Sequence, residues 1–252
     1  MVESIAHEVK IMVNSIRHAA INANLSWAFC SVGQMRKYNR MSIELPIIHH
    51  DDHILVIDKP GGLLSVPGKG PEKQDCVVSR ARSFFTDLPP QPAVHRLDLH
   101  TTGIMLLART QDAHRHLVHQ FQYRLVSKRY IAILDGSLAT ESGSIELSFR
   151  LDPQNRPYQV LDPLNGKSGI TIWQKLAEKD GRTRVALTPL TGRTHQLRLH
   201  AAHSQGLGTP IVGDFLYGNG KDGDMMLLHS ASISLVHPGS GQPCEFKSEP
   251  PF

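Results

Sequence analysis

Residues 95–109, HRLDLHTTGIMLLAR, contain the feature that most restricts how this chain can fold. The run GIMLLA carries no polar side chain, and its position after a polar turn predicts a fully buried β-strand. Asp98 precedes this strand, with Arg96 and His100 on either side. A carboxylate at the edge of a core loses hydration and therefore requires a cationic partner. Asp98 either caps a turn, pairs with the neighbouring Arg96, or pairs with a cation from elsewhere in the chain.

A second segment, PLTGRTHQLRLHAAH at residues 189–203, supplies such cations. Its Thr-Gly pair predicts a turn, and a helix is expected to begin at about Thr194. Arg193 then lies at the strand–helix junction, and Arg198 lies in the first turns of the helix. Leucines alternate with the basic residues, which indicates a half-buried face rather than a solvated one. Because the segment contains no acidic residue, Asp98 is the expected distant partner of one of these arginines.

The chain from residue 45 onward alternates strand and helix patterns. A long β-hairpin is predicted over residues 168–190, with Lys179-Asp180-Gly181 as its turn. Strands outnumber helices, which predicts an α+β domain at 45–252 with a mixed, mostly antiparallel sheet flanked by helices and loops. Residues 1–44 have a different pattern. We expect them to form an extension that is either disordered or the product of a misassigned start, with Met41 as the alternative start.

Composition restricts the class of protein only broadly. The formal net charge of +4 and the pI of about 9.0 fit a polyanionic partner without requiring one. The three cysteines are far apart and form no CxxC pair, which favours a reducing compartment. No apolar run approaches the ~18 residues of a membrane span, and no secretory signal is recognisable. We therefore expect a cytoplasmic protein without a membrane helix.

The sequence shows no motif for a cofactor or a metal. Neither a phosphate-binding GxxxxGK[ST] loop, nor GxGxxG after a strand, nor a GxSxG elbow is present. His195, His200 and His203 have a suggestive spacing, but on a helix His195 does not share a face with both of the others. A metal hydrolase that uses these histidines is therefore the weaker interpretation, and we expect no metal and no cofactor.

Taken together, these segments resemble the RluA family of pseudouridine synthases. HRLDLHTTG is similar to the family signature HRLDxxTSG, with Thr102 in place of the usual serine. Five further blocks agree with the family order: DDHILVIDKPGGLLSVPG, SKRYIAILDG, TPLTGRTHQLRLHAA, PIVGDFLYG and LLHSASISLVHP. The resemblance covers residues 46–252. The turn HSQGLGTPIVGD is slightly longer than usual. Without an S4-type domain, the sequence looks like the short subgroup that modifies 23S rRNA and tRNA anticodon stem-loops.

The resemblance implies an isomerase that converts a uridine in structured RNA to pseudouridine without metal or cofactor. Asp98 is then the essential carboxylate, acting either as a nucleophile or as a base that abstracts a ribose proton. Arg193 is expected to pair with Asp98. Tyr130 is expected to pack on the target base and assist removal of the C5 proton, and Leu228 to floor the uracil pocket.

The remaining implied residues concern RNA binding. Arg96 is expected to fill the space left by a flipped-out uridine. Four further residues are expected to contact phosphates or the pocket rim: His95, Lys128, Arg129 and Arg198. The expected partner is a stem-loop of 23S rRNA, of tRNA or of both, with a monomeric enzyme and no obligatory protein partner. The alternative is a non-catalytic RNA-binding or RNA chaperone protein on the same fold.

Overall fold

The structure, a computed structural model, describes residues 45–252, so the expectations for residues 1–44 lie outside it. The three α-helices of this part are α1 Val77–Phe84, α2 Gln111–Gln122 and α3 Gln196–Ala202. Its strands are β1 Ile47–His50, β2 Ile54–Lys59, β3 Thr102–Ala108, β4 Ser127–Leu134, β5 Ser142–Leu151, β6 Gln159–Leu161, β7 Lys167–Lys179, β8 Arg182–Pro189, β9 Leu228–Val236 and β10 Pro243–Lys247.

The ten strands form one mixed, mostly antiparallel sheet, as predicted. The strand order is β1-β2-β3-β9-β4-β8-β7-β5-β6, and β10 pairs with β9. β3 and β9 are parallel, whereas the other named strand pairs are antiparallel. The predicted hairpin is present as β7 and β8. Strands β5, β6 and β10 were not predicted, although Ile145, Leu147 and Phe149 alternate with more exposed residues along β5.

The buried strand predicted from GIMLLA is β3, and all of its residues are buried because the sheet is covered there on both faces. Met105 and Leu107 belong to one apolar cluster, which also contains apolar residues of α1 and α3. Ile104 and Leu106 point to the other face and join a cluster that contains residues of α2. The segment before β3 is thus attached to a strand that has little freedom to move.

The start of β3 is fixed against β9 by a close backbone approach. Gly103 has a φ of +100°, and a Cβ at this position would lie 2.4 Å from the carbonyl oxygen of Ser230, so only glycine fits. Beside it, the hydroxyl of Thr102 lies 2.8 Å from Nδ1 of His229. β9 also pairs with β4, in the register Tyr130 to Ser230. The loop that carries Asp98 is therefore brought next to β9 and β4.

The buried histidine His200 is expected to lower the stability of the protein at acidic pH. His200 of α3 is buried with its ring nearly perpendicular to that of Phe149, and neither ring nitrogen has a hydrogen-bond partner among the described residues. Burial lowers the pKa of His200 from 6.5 to about 4. The unfolded chain therefore takes up this proton first, and the free energy of unfolding should fall as the pH falls from 6.5 toward 4.

We expect His200→Leu to raise the free energy of unfolding by roughly 1–3 kcal/mol, because it removes unsatisfied polar atoms from the core. It should also flatten the pH dependence between pH 6.5 and about 4. Denaturant titrations of both proteins across this range measure the two effects. An equally steep loss of stability in the variant would contradict the prediction.

Candidate active site

A cavity of about 780 Å³ gathers most of the residues predicted for the site. Its wall contains Asp98 as the one acidic residue among the described residues that line it. Seven other predicted residues line it as well: His95, Arg96, Lys128, Tyr130, Arg193, Arg198 and Leu228. Arg129 is exposed and does not contribute to the lining. Neighbouring residues of a strand point to opposite faces, which explains why Lys128 and Tyr130 face the cavity and Arg129 does not.

The loop around Asp98 is held by backbone hydrogen bonds on both sides. The hydroxyl of Ser65 donates to the carbonyl oxygen of Leu97 at 2.6 Å and accepts from the amide of Leu97 at 3.0 Å. Past Asp98, the amide of Gly62 donates to the carbonyl oxygen of Leu99. The turn itself closes through the amide of Thr101, which donates to the carbonyl oxygen of Asp98.

A buried lysine, Lys59, also holds the loop around Asp98. Lys59 is 0% exposed, and its ammonium donates to the carbonyl oxygens of Pro60, Leu99 and Thr101 at 2.9, 3.0 and 2.9 Å. Burial lowers the pKa of Lys59 to about 7, and the negative charge of Asp98 opposes this effect. All donors of Lys59 are thus used within the protein, and two of them hold the backbone that follows Asp98.

The cationic partner of Asp98 is Arg198. Nη1 of Arg198 lies 3.5 Å from Oδ2 of Asp98, and only 27% of the Asp98 side chain is exposed. The same guanidinium binds Asp214 in a two-pronged ion pair, Nε to Oδ2 at 2.8 Å and Nη2 to Oδ1 at 2.6 Å. Asp214 is completely buried and also accepts from the amides of Leu216 and Tyr217. Asp214 therefore orients the arginine, and the arginine holds the carboxylate at the cavity.

The predicted pairing of Asp98 with Arg193 is wrong in this structure. Nε of Arg193 donates instead to the carbonyl oxygen of Ser168 at 3.2 Å, and its side chain is exposed at the cavity rim. The helix begins at Gln196, two residues later than expected, after His195 with a φ of 56°. Arg193 thus remains in the preceding turn, whereas Arg198 lies on the buried side of α3.

The turn that carries Arg193 is locked by Gln196, a residue that sequence reasoning missed. Its Oε1 accepts from the hydroxyl of Thr191 at 2.7 Å and from the amide of Arg193 at 3.0 Å. Its Nε2 donates to the carbonyl oxygen of Ile170 and to the hydroxyl of Thr171 on β7. A buried amide directly after a turn was the available signal, because such a group must find partners in the surrounding backbone.

Tyr130 and Leu228 form an apolar part of the cavity wall from neighbouring strands. Both are buried in the core and line the cavity, Tyr130 on β4 and Leu228 at the start of β9. Burial raises the pKa of the Tyr130 phenol to about 12; a hydrogen bond to Ser230 lowers it, and the charge of Asp98 adds to the rise. The phenol is therefore neutral at physiological pH, and its ring supplies a flat apolar surface.

His95 does not supply the positive charge expected of a phosphate contact. Its Nε2 accepts from the amide of Leu106 on β3 at 2.9 Å, and its ring stacks on Phe121 with the centroids 5.0 Å apart. Burial, with the nearby charge of Lys128, lowers the pKa of His95 to about 3. The ring is neutral and anchors the loop to β3.

The comparisons with known proteins agree with this geometry. A family model described as RNA pseudouridylate synthase matches residues 53–203. The chain belongs to this family. It is 41% identical over 210 residues to the dual-specificity RNA pseudouridine synthase RluA of Yersinia pestis, which covers 82% of this chain and 99% of that protein. The dual-specificity RNA pseudouridine synthase RluA of Escherichia coli K12 is 38% identical over 212 residues, and the match covers 82% of this chain and 94% of that protein.

Solved structures of the pseudouridylate synthase family share the fold. The human RNA pseudouridylate synthase domain-containing protein 1 has a TM-score of 0.66 at 27% identity and covers 83% of this chain and 84% of its own. The human RNA pseudouridylate synthase domain-containing protein 4 has a TM-score of 0.64 at 25% identity and covers 82% of this chain and 88% of its own. The chain is thus an RNA pseudouridine synthase and an isomerase of the RluA family, and the comparisons do not support the non-catalytic alternative.

Two further findings concern the described part of this synthase. Within residues 45–252, no group of three or more histidine, cysteine, aspartate or glutamate side chains is arranged to hold a metal ion. No helix in the same part is both long and apolar enough to cross a membrane.

Proposed function

We propose that this synthase isomerises a uridine in stem-loops of both 23S rRNA and tRNA, with Asp98 as its catalytic carboxylate. The observation that carries the proposal is the position of Asp98, partly exposed in a cavity whose other charged wall residues are cations: Arg96, Arg124, Lys128, Arg193 and Arg198. Such a wall attracts a polyanion. A protein that only binds RNA has no use for a fixed carboxylate facing the phosphates.

The chemistry follows from what the Asp98 carboxylate can reach. The C1′–N1 bond of the uridine breaks, the uracil turns over, and C5 bonds to C1′ in its place. Asp98 either attacks the sugar or removes a ribose proton, and both routes use the carboxylate that Arg198 holds at the cavity. Because all atoms of the substrate remain in the product except for the exchanged C5 proton, the reaction needs no redox partner.

We propose that Tyr130 and Leu228 hold the uracil while it turns over. Both residues present apolar surface to the cavity beside Asp98. As a neutral phenol, Tyr130 is suited to pack on the base and to pass a proton rather than to act as a phenolate.

Gln122 and Arg124, which also line the cavity, were not among the predicted residues.

Arg96 is the residue we propose to support base flipping. It lies two residues before Asp98, lines the cavity and has an exposed side chain. Taking a uridine out of a stacked stem-loop costs a few kcal/mol, and a planar guanidinium in the vacated space offsets part of that cost.

We expect Arg96→Met to slow pseudouridine formation more on a folded stem-loop than on an unstructured RNA that carries the same uridine. A difference of roughly 10-fold between the two substrates corresponds to about 1.4 kcal/mol of lost support for flipping. Single-turnover rates on both RNAs provide the measurement. Equal slowing on both would assign Arg96 to phosphate binding instead of flipping.

The experiment for the substrate class uses four RNAs: a tRNA anticodon stem-loop, a hairpin from 23S rRNA, and a version of each with its stem disrupted. We expect pseudouridine at one defined uridine in both folded RNAs and strongly reduced modification once the stem is disrupted. The relatives bear the name dual-specificity, which supports two substrates. Modification of only one folded RNA would restrict the proposal to that RNA class.

We also propose that residues 45–252 form the catalytic domain and that the enzyme works as a cytoplasmic monomer. The ten-stranded sheet and the lining of the cavity are built from these residues, which supports the first point. Cys76 and Cys244 are free thiols, in keeping with a reducing compartment.

A further inference from the structure

We propose that Lys128 is the receptor for one backbone phosphate beside the flipped uridine. This inference rests on the proposed function, because it takes the anion to belong to RNA bound in the cavity. The family resemblance implies phosphate or pocket-rim contacts for four residues without distinguishing among them, whereas we assign one particular phosphate to Lys128.

Lys128 differs from the other lysines of residues 45–252 that are withdrawn from solvent. Three of the described lysines are withdrawn from solvent, namely Lys59, Lys128 and Lys175. The ammonium of Lys59 is saturated by three carbonyl oxygens. That of Lys175 lies 3.3 Å from Glu141 and 2.8 Å from Glu178. Lys128 has one long hydrogen bond, 3.4 Å to the carbonyl oxygen of Thr191, and no carboxylate within ion-pair distance among the described residues.

A half-buried ammonium with free donors is costly unless an anion completes its surroundings. The protein supplies no such anion here: Asp98 is engaged by Arg198, and His95 on the neighbouring segment is neutral. Burial lowers the pKa of Lys128 to about 8, which agrees with the absence of a counter-charge. The missing partner is therefore expected to arrive with the substrate.

The position of Lys128 indicates which phosphate it receives. Lys128 and Tyr130 line the same cavity from β4, and alternate residues of a strand are separated by about 6–7 Å. An ammonium two residues from the tyrosine that packs on the base thus lies within reach of a phosphate of the same nucleotide or of its neighbour. Gly192 adjoins this ammonium, since a Cβ at that position would lie 3.7 Å from Nζ of Lys128, an ordinary van der Waals contact.

The test compares Lys128→Met with Lys128→Arg and with a control, Lys247→Met, an exposed lysine of β10 that does not line the cavity. The dissociation constant of a stem-loop RNA is measured at several salt concentrations. Lys128→Met should weaken binding roughly 10- to 100-fold, as expected for a lost hydrogen bond to a charged group. It should also reduce the slope of log Kd against log salt by about 0.7–0.9, the contribution of one phosphate contact.

Lys128→Arg should recover most of the slope, and Lys247→Met should match the wild type. A structural role alone would change stability without changing the salt slope, so a wild-type slope in Lys128→Met would overturn the proposal. If the methionine variant does not fold, the same comparison between Lys128→Gln and Lys128→Arg decides the question. Because the slope comes from binding alone, absence of pseudouridine formation by the wild type would refute the proposed function without deciding the role of Lys128.

Discussion

Arg198→Met is expected to destabilise the protein and to abolish pseudouridine formation. The substitution leaves Asp214 completely buried without its guanidinium partner, and breaking a buried pair in this way costs about 3–5 kcal/mol. It also removes the cation that lies 3.5 Å from Asp98. Chemical denaturation measures the first effect, and conversion of uridine in a stem-loop RNA measures the second.

The double variant Arg198→Met/Asp214→Asn separates these two effects. Asparagine keeps an oxygen for the amides of Leu216 and Tyr217 but no longer buries an unpaired charge. We therefore expect the double variant to regain most of the lost stability while it remains inactive. Recovery of activity together with stability would show that Arg198 acts only through the fold.

Arg193→Met is the matched control for stability, because Arg193 is an exposed arginine on the same cavity wall. Its free energy of unfolding should stay within about 0.5 kcal/mol of the wild type, as is usual for surface positions. A large loss of stability in Arg193→Met with little change in Arg198→Met would restore the pairing first predicted from the sequence.

The strands that surround the site could be predicted from the sequence, because patterns of residues close together in the chain determine them. The run GIMLLA predicted β3, and the turn at Lys179-Asp180-Gly181 predicted the hairpin of β7 and β8. Both patterns depend on residues close together in the chain. The requirement that Asp98 meet a cation from residues 189–203 was also confirmed, because a buried charge must be paired.

The choice of arginine could not be predicted in the same way. It depends on where α3 begins, and the left-handed conformation of His195 places that start two residues beyond the expected point. It also depends on Asp214, which follows α3 in PIVGDFLYG and was given no role. An aspartate that follows Ile-Val-Gly and precedes Phe-Leu-Tyr was a signal for a buried carboxylate, but its partner became evident only once the chain was folded.

Asp98→Asn is expected to lower the rate of pseudouridine formation by at least about 10²–10⁴-fold, the range for loss of a positioned acid–base group. The fold should survive, because asparagine has nearly the same shape and Arg198 keeps Asp214 as its partner. RNA binding should be equal or tighter, because the variant removes the one acidic side chain from the described cavity wall. Unchanged affinity with lost rate distinguishes a catalytic carboxylate from one that only maintains the site.

The most direct test of this account is release of tritium from a stem-loop RNA labelled at C5 of its uridines, since C5 must give up its hydrogen when it bonds to C1′. Wild type and Asp98→Asn are compared at RNA concentrations that saturate both proteins. We expect tritium release by the wild type, and release that is slower by at least about 100-fold with Asp98→Asn. Release by Asp98→Asn at the wild-type rate would contradict this expectation.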